Sequence, residues 1–276
     1  MTSIYTAPIY KLEQLNNIFI ELTAKNCNNR CKQCYLDLPT TSKHIKDFIS
    51  IDRIKEALYD TKYENIKCIY LTGAEPMTHP DFNAILRLCL KRCNVCICTN
   101  GSFLNEKKIR FLNKVESEGN SQIFFKLSLV HFDEIENDKV KYRGNFRQTI
   151  FALKTLSRYN FLSVLSIQNY FKLDKNILSE RFNQIFKDNE IYNTDIKIIT
   201  SHPDFDDINF EKQSQQTDCM FGRTLGVNGI YSCPFLSNDY RGRVGSSFKN
   251  FSENIIAETD FCATCSKNND FIFTIE

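Results

Sequence analysis

The sequence predicts an α/β fold: a partial, TIM-like (β/α)6 barrel followed by a small C-terminal α+β unit of a hairpin plus a helix. Three observations predict it. Six short strand-like runs alternate with five helix-like runs, which indicates a parallel sheet with right-handed crossovers. Candidate chemical residues follow each of the first three strands, where a barrel places its active residues. From Asp218 onward the pattern changes to a hairpin and paired cysteines.

The strands are predicted from short apolar runs, several with alternating polar residues. Their predicted bounds are 17–24, 67–71, 94–98, 123–130, 161–168 and 195–200. No GxGxxG motif follows the first strand. A doubly wound sheet of the Rossmann type is possible, but an open six-stranded barrel fits the short, evenly spaced strands at least as well.

The helices are predicted from apolar residues that recur at helical spacing. Ser50 can cap the first helix, which carries Ile51, Ile54 and Leu58 on one face. The other predicted helices span 80–93, 105–115, 145–158 and 175–187. In the C-terminal unit, Asn228-Gly229 between apolar residues indicates a hairpin turn.

Length and charge limit the organisation and the partners of the chain. Its 276 residues suffice for one large domain, 1–205, and one small domain, 206–276, joined by a polar linker over 201–217. A formal net charge of +2 argues against nucleic acid or an anionic membrane as partner. No segment reaches membrane-spanning length and the start of the chain lacks an apolar core, so a cytoplasmic location is expected.

Three of the twelve cysteines, Cys27, Cys31 and Cys34, share one polar loop after the first strand. A reducing cytosol disfavours disulfides, so clustered cysteines there more often bind metal. A [4Fe–4S] cluster normally takes four thiolates, so a loop that supplies three leaves one iron open to a small molecule. The alternative interpretations are a zinc loop or three incidental thiols.

The loop pattern CxxxCxxC, followed by the aromatic Tyr35, resembles the signature of the radical S-adenosylmethionine (SAM) superfamily. The resemblance covers about the whole chain. It implies that a three-cysteine [4Fe–4S] cluster cleaves SAM reductively to a 5′-deoxyadenosyl radical, which then takes hydrogen from a substrate carbon. Further on, Gly73-Ala74-Glu75-Pro76 is similar to the GGEP element of the family, with one glycine replaced by alanine.

The same resemblance implies further SAM contacts. Glu75 or the nearby backbone would meet the amino group of SAM, as a carboxylate binds an ammonium well. Asn100 and Asn169 resemble ribose contacts, and Ser128 and Arg143 resemble groups that bind the SAM carboxylate. A turn, a strand-end cap or a solvated charge is the alternative for each. The predicted cofactor-binding set is Tyr35, Gly73, Glu75, Asn100, Ser128, Arg143 and Asn169.

Four cysteines of the C-terminal unit, Cys219, Cys233, Cys262 and Cys265, can close a second metal site. Spacing alone does not separate zinc from iron–sulfur. The arrangement resembles the twitch subdomain, a shortened SPASM extension, which implies one auxiliary [4Fe–4S] cluster. Such a cluster has no open iron, so it would relay electrons and make the net reaction an oxidation.

The expected reaction is oxidation or crosslinking of a small metabolite or a ribosomal peptide, with a flavodoxin- or ferredoxin-type electron donor. His131 is the catalytic candidate, because it follows the fourth strand at the barrel mouth. The remaining cysteines are interpreted as small buried hydrophobes; they are Cys68, Cys89, Cys93, Cys96 and Cys98. The rival function is a non-enzymatic zinc or iron–sulfur protein that binds partners or carries electrons.

Overall fold

The computed structural model describes residues 7–36, 38, 47–199, 217–265 and 272–275. The strands in this part of the chain are β1 (Ile9–Lys11), β2 (Asn17–Glu21), β3 (Cys68–Thr72), β4 (Asn94–Cys98), β5 (Ile123–Leu129), β6 (Leu162–Gln168), β7 (Thr194–Ile199), β8 (Gly222–Gly226), β9 (Gly229–Tyr231), β10 (Arg243–Ser247), β11 (Asn250–Phe251) and β12 (Asn254–Ile256). The α-helices are α1 (Ile51–Asp60), α2 (Phe82–Leu90), α3 (Glu106–Glu116), α4 (Glu134–Val140), α5 (Asn145–Arg158), α6 (Lys175–Asp188), α7 (Thr217–Phe221) and α8 (Asp260–Cys265).

One mostly parallel sheet organises the molecule. Its strand order is β11-β10-β9-β8-β2-β3-β4-β5-β6-β7, and β1 pairs separately with β12. Strands β2 to β7 lie side by side in chain order, all parallel, as right-handed β-α-β crossovers require. The predicted α/β fold is therefore confirmed, and the order of the strands agrees with an open barrel.

The two faces of the sheet bury different residues, because side chains alternate between faces along a strand. Residues such as Ile18, Ile20 and Leu71 pack in the main core with the helices. Phe19, Tyr70 and other residues of the opposite face form a second cluster in the lumen of the barrel. Burial on both faces explains why these strands are nearly continuous apolar runs.

Local capping explains where the helices begin. The Ser50 hydroxyl accepts a hydrogen bond from the Arg53 amide at 3.3 Å, which confirms the predicted cap of α1. The second helix begins at Phe82, two residues later than predicted, with Asp81 in the N-cap position and a 3-10 turn over Pro76–Thr78 before it. The short helix α4 was not predicted; the Asp133 carboxylate caps it by accepting from the amides of Ile135 and Glu136.

The C-terminal hairpin joins the barrel sheet rather than standing apart from it. Strand β8 pairs in parallel with β2, from Asn17 opposite Gly222 to Ile20 opposite Leu225. The predicted boundary between residues 205 and 206, and almost all of the predicted linker, lie outside the described residues. None of the helices in the described part of the chain combines the length and apolar character that crossing a bilayer requires.

Candidate active site

A cavity of about 270 Å³, here called the chamber, lies at the carboxyl ends of the barrel strands. Cys27, Cys31 and Cys34 line one side of it. Gly73 after β3, Asn100 after β4 and other strand-end residues line the remainder. Loops after parallel strands meet at one edge of the sheet, which is why residues far apart in sequence converge here.

The cysteine loop is anchored by the Asp47 carboxylate. Its oxygens accept hydrogen bonds from the Thr23 hydroxyl at 2.7 Å and from the amides of Ala24 and Lys25 at 2.8 and 2.6 Å. Within the loop, the Arg30 guanidinium donates to the Cys27 carbonyl at 2.6 Å. These contacts fix the path of the backbone on which the three thiols stand.

The three thiols form a donor set suited to an iron–sulfur cluster. The Cys27 sulfur accepts from the Asn29 amide at 3.3 Å and from the Asn100 side chain at 3.7 Å, and such bonds to sulfur are typical of cluster ligands. Burial raises the pKa of Cys27 to about 12, so a thiolate here needs a metal beside it. Among the described residues, no three His, Cys, Asp or Glu side chains converge on the position of a single metal ion. The match between this loop and a cluster therefore rests on the chemistry of its three thiols.

Two amides in the same loop lack partners. The side-chain nitrogen and oxygen of Asn29 and of Gln33 are buried and make no hydrogen bond within the described residues. Both side chains line the chamber. Since unpaired buried amides are costly, a bound polar molecule would satisfy them. The two unpaired amides therefore support the binding of a polar ligand in the chamber.

The segment after β3 is shaped by a close backbone approach. Gly73 has a φ of +120°, and a Cβ there would lie 2.3 Å from the Thr23 carbonyl oxygen, so only glycine fits. The buried Glu75 carboxylate accepts from the Thr99 hydroxyl and the Asn100 amide, both at 2.9 Å, and from the Met77 amide at 3.1 Å. Burial raises the pKa of Glu75 to about 7. Glu75 thus ties together the loops after β3 and β4, and its contact with a SAM amine stays a prediction.

The basic side chain next to Ser128 is that of Lys141. Lys141, directly after α4, lines the chamber and donates to the Ser128 hydroxyl at 2.8 Å. Arg143 is exposed and lies outside the lining. The structure therefore pairs Ser128 with Lys141, which the sequence reasoning missed because α4 was not predicted.

Like Arg143 and Glu75, the predicted residues Asn169 and His131 lie outside the chamber lining. The Asn169 side chain accepts from the Leu173 amide at 2.8 Å and donates to the Leu173 carbonyl at 2.6 Å, so it closes the loop after β6. The His131 Nδ1 accepts from the Asp133 amide at 2.9 Å, and its ring packs against Phe132 and Phe171. Burial lowers the pKa of His131.

The chamber lining includes one further residue predicted from the sequence, Tyr35, and one that was not predicted, Lys126. Tyr35 does line the chamber, with its ring edge-on to Phe235 at 5.1 Å. Lys126 also lines it, although no sequence motif marks this residue.

The four C-terminal cysteines gather at one place. Cys219 lies in α7, Cys233 precedes the 3-10 turn Pro234–Leu236, and Cys262 and Cys265 lie in α8. Burial, followed by the charges of the neighbouring thiols, raises the pKa of Cys219 and Cys265 well above the ordinary value. The Thr259 hydroxyl donates to the Cys262 sulfur at 3.2 Å. The four thiols interact electrostatically, although no three of them converge on the position of a single ion, so only their donor chemistry suits a cluster. Cys265 is buried and also lines the chamber, whereas the other three are half-buried.

Comparisons with known proteins concern the family and the fold of the chain. The family model described as the radical SAM superfamily matches residues 22–174. The structure is similar to that of Streptococcus suis SuiB bound to S-adenosylmethionine, with 13% identity and a TM-score of 0.62 over 86% of this chain and 64% of SuiB. It is similar to anSMEcpe with bound AdoMet, with 12% identity and a TM-score of 0.61 over 86% of this chain and 75% of that one.

These structural likenesses, at such low identity, concern the fold. The chain spans slightly less than two thirds of the length of SuiB. No curated protein sequence matches the chain.

Proposed function

The chain belongs to the radical SAM superfamily, whose model covers more than half of it, and we propose that it cleaves SAM reductively and abstracts hydrogen from a substrate carbon. One observation carries the proposal: three thiols of a single loop and the ends of β3, β4 and β5 surround one chamber. The predicted membership of this superfamily is confirmed by the family match; the reaction itself is our inference.

The residues of the chamber have separate tasks in this proposal. Cys27, Cys31 and Cys34 hold a [4Fe–4S] cluster, which together with SAM supplies the 5′-deoxyadenosyl radical. Lys141 and Ser128 bind the SAM carboxylate, because an ammonium and a hydroxyl both donate hydrogen bonds. The chamber walls exclude water, which protects a reactive radical from side reactions.

We further propose that Cys219, Cys233, Cys262 and Cys265 bind one auxiliary [4Fe–4S] cluster. The position of Cys265, both among these thiols and on the chamber wall, supports a role in electron transfer from the substrate. The net reaction would be an oxidation or crosslinking of a small metabolite or a ribosomal peptide. A flavodoxin- or ferredoxin-type protein would supply the electrons, in the reducing cytoplasm that free thiols require.

The test is anaerobic reconstitution with iron and sulfide, followed by a dithionite assay for 5′-deoxyadenosine. We expect the nucleoside from the wild type and none from Cys31→Ala, because that variant lacks one cluster ligand. Cys93→Ala is the matched control, since Cys93 lies outside the chamber lining, and it should behave as wild type. A rival non-enzymatic metal protein would take up iron or zinc yet form no nucleoside and show no affinity for SAM.

A further inference from the structure

The chamber contains a thiol that belongs to neither predicted metal site. Cys98, the last residue of β4, lines the chamber beside the cluster cysteines. From the sequence it was interpreted as a small buried hydrophobe, together with Cys68, Cys89, Cys93 and Cys96. Cys68, Cys89 and Cys96 are buried, whereas Cys98 is part of the chamber wall. Cys98 packs against the apolar cluster that contains Phe19 and Cys96, as that interpretation expects, and in addition it faces the chamber.

The position of Cys98 along its strand places it deeper than the cluster loop. Alternation along β4 puts Cys96 and Cys98 on the same face, and Asn100, just beyond the end of the strand, lines the chamber with Cys98. The Asn100 side chain reaches the Cys27 sulfur at 3.7 Å. Cys98 precedes Asn100 by two residues, which is about 6.6 Å of extended chain. The thiol thus stands between the cluster loop and the lumen of the barrel.

The surroundings of Cys98 cover part of its side chain and leave the rest facing the chamber. Cys96, which is buried, lies on the same face of β4 two residues before Cys98. On the neighbouring strand, Lys126 is in register with Cys98 and also lines the chamber. The unpaired amides of Asn29 and Gln33 line the same space, so a polar ligand there would gain hydrogen bonds.

We propose that Cys98 is a hydrogen-atom donor to a carbon radical in the chamber, an inference that rests on the proposed function. Thiol S–H bonds are weaker than most C–H bonds, so the transfer is favourable. The S–H bond breaks homolytically, a C–H bond forms, and the unpaired electron is left on the Cys98 sulfur. One electron from the flavodoxin- or ferredoxin-type donor and one proton from water then restore the thiol.

With such a donor, the substrate radical can be reduced by a hydrogen atom instead of being oxidised. A hydrogen atom removed from the substrate is replaced by one from Cys98, so the substrate gains and loses no electrons. One electron serves to cleave SAM to methionine and the nucleoside, and a second restores the thiol. The chamber could in this way support a redox-neutral rearrangement or inversion at carbon.

The test needs only SAM, because the deoxyadenosyl radical itself can take the hydrogen when no substrate is present. The iron-loaded protein is reduced with dithionite in D₂O, where thiols exchange their hydrogen for deuterium. We expect wild-type 5′-deoxyadenosine to carry one deuterium, read by mass spectrometry. Cys98→Ser keeps the approximate size and polarity of the side chain, but its O–H bond is too strong to donate a hydrogen atom, so the deuterium label should be lost.

The controls separate this inference from the proposed function. Cys93→Ser alters a thiol outside the chamber lining, hydrogen-bonded to the Asn94 carbonyl, and should keep the label. Equal deuterium in wild type and Cys98→Ser would overturn the inference while leaving SAM cleavage intact. Loss of iron from Cys98→Ser and from Cys98→Ala would make Cys98 a ligand and also overturn it. No nucleoside from loaded wild type would instead refute the proposed function, and this inference with it.

Discussion

Single residues in the barrel show how burial changes their protonation. Glu21, the last residue of β2, is buried and accepts a hydrogen bond from the Ser237 hydroxyl. Burial raises the pKa of Glu21 to about 7, and the charge of Asp47 adds to this effect. The other titratable groups facing it are Tyr35 and Tyr231. Glu21 therefore gains its charge only near neutral pH.

This pKa predicts a pH-dependent stability. The folded protein holds the Glu21 proton more tightly than the unfolded chain, whose value is near 4.5, so the free energy of unfolding falls as pH rises from 4.5 through 7. The loss amounts to at most about 3 kcal/mol. Urea unfolding across this pH range should show a smaller decrease for Glu21→Gln than for wild type. Glu180→Gln, on the exposed side of α6, is the control, and an equal decrease in both variants would contradict the prediction.

At the scale of elements, strands and longer helices could be predicted because their patterns are local. Each predicted strand of the barrel lies within a few residues of the observed one, since apolar runs bounded by turns are sufficient evidence. Helix α4 has seven residues, a mostly charged surface and no apolar stripe. Its buried side is held by Asn137, which accepts from the Val130 amide at 3.0 Å. Its one local signal was Asp133 at the cap, with Glu136 three residues later.

The position of α4 leads to a prediction about SAM binding. Lys141, directly after this helix, faces the chamber, whereas Arg143 is exposed. We expect Lys141→Ala to weaken SAM binding by about tenfold, the loss of one charged hydrogen bond, and Arg143→Ala to leave it unchanged. Equilibrium dialysis of SAM against the iron-loaded variants measures this. The reverse ranking would restore Arg143 as the carboxylate ligand.

Part of the site could also be predicted from the sequence, because its residues lie next to predicted strands. Gly73, Asn100 and the cluster cysteines directly follow strands, so their convergence needed only the rule that active residues follow barrel strands. Lys126 and Cys98 face the chamber because β4 pairs with β5 and because segments distant in sequence come together there. No local pattern carries that information.

At the scale of the whole molecule, residues 272–275 fill the lumen of the barrel. Asp218 accepts from the amides of Ile272 and Phe273 at 2.8 and 2.9 Å and from the Thr274 hydroxyl at 3.0 Å. From the opposite side, Lys126 donates to the carbonyls of Ile272 and Phe273. The Phe273 ring packs edge-on against Phe235 at 4.7 Å. The chamber is thus walled in part by a segment far from the cysteine loop.

Removal of the Asp218 carboxylate tests how much this wall stabilises the protein. Asp218→Ala leaves three donors without their acceptor, so we expect the free energy of unfolding to fall by about 3 kcal/mol or more. Asp195→Ala, at an exposed position of β7, should change it by less than about 0.5 kcal/mol. Urea unfolding of the metal-free proteins compares the two. Equal stability of both variants would mean that the lumen segment contributes little.

The pairing of β8 with β2 has a consequence for synthesis of the chain. Asn17 and Gly222 are partners, although 205 positions separate them. A ribosome adds about 5 to 20 residues per second, so about 10 to 40 s pass between the synthesis of β2 and that of its partner strand β8. Throughout that interval the nascent barrel presents unpaired backbone groups and a bare apolar lumen, the kind of surface that chaperones shield. Translation speed over the intervening segment thus becomes a determinant of yield.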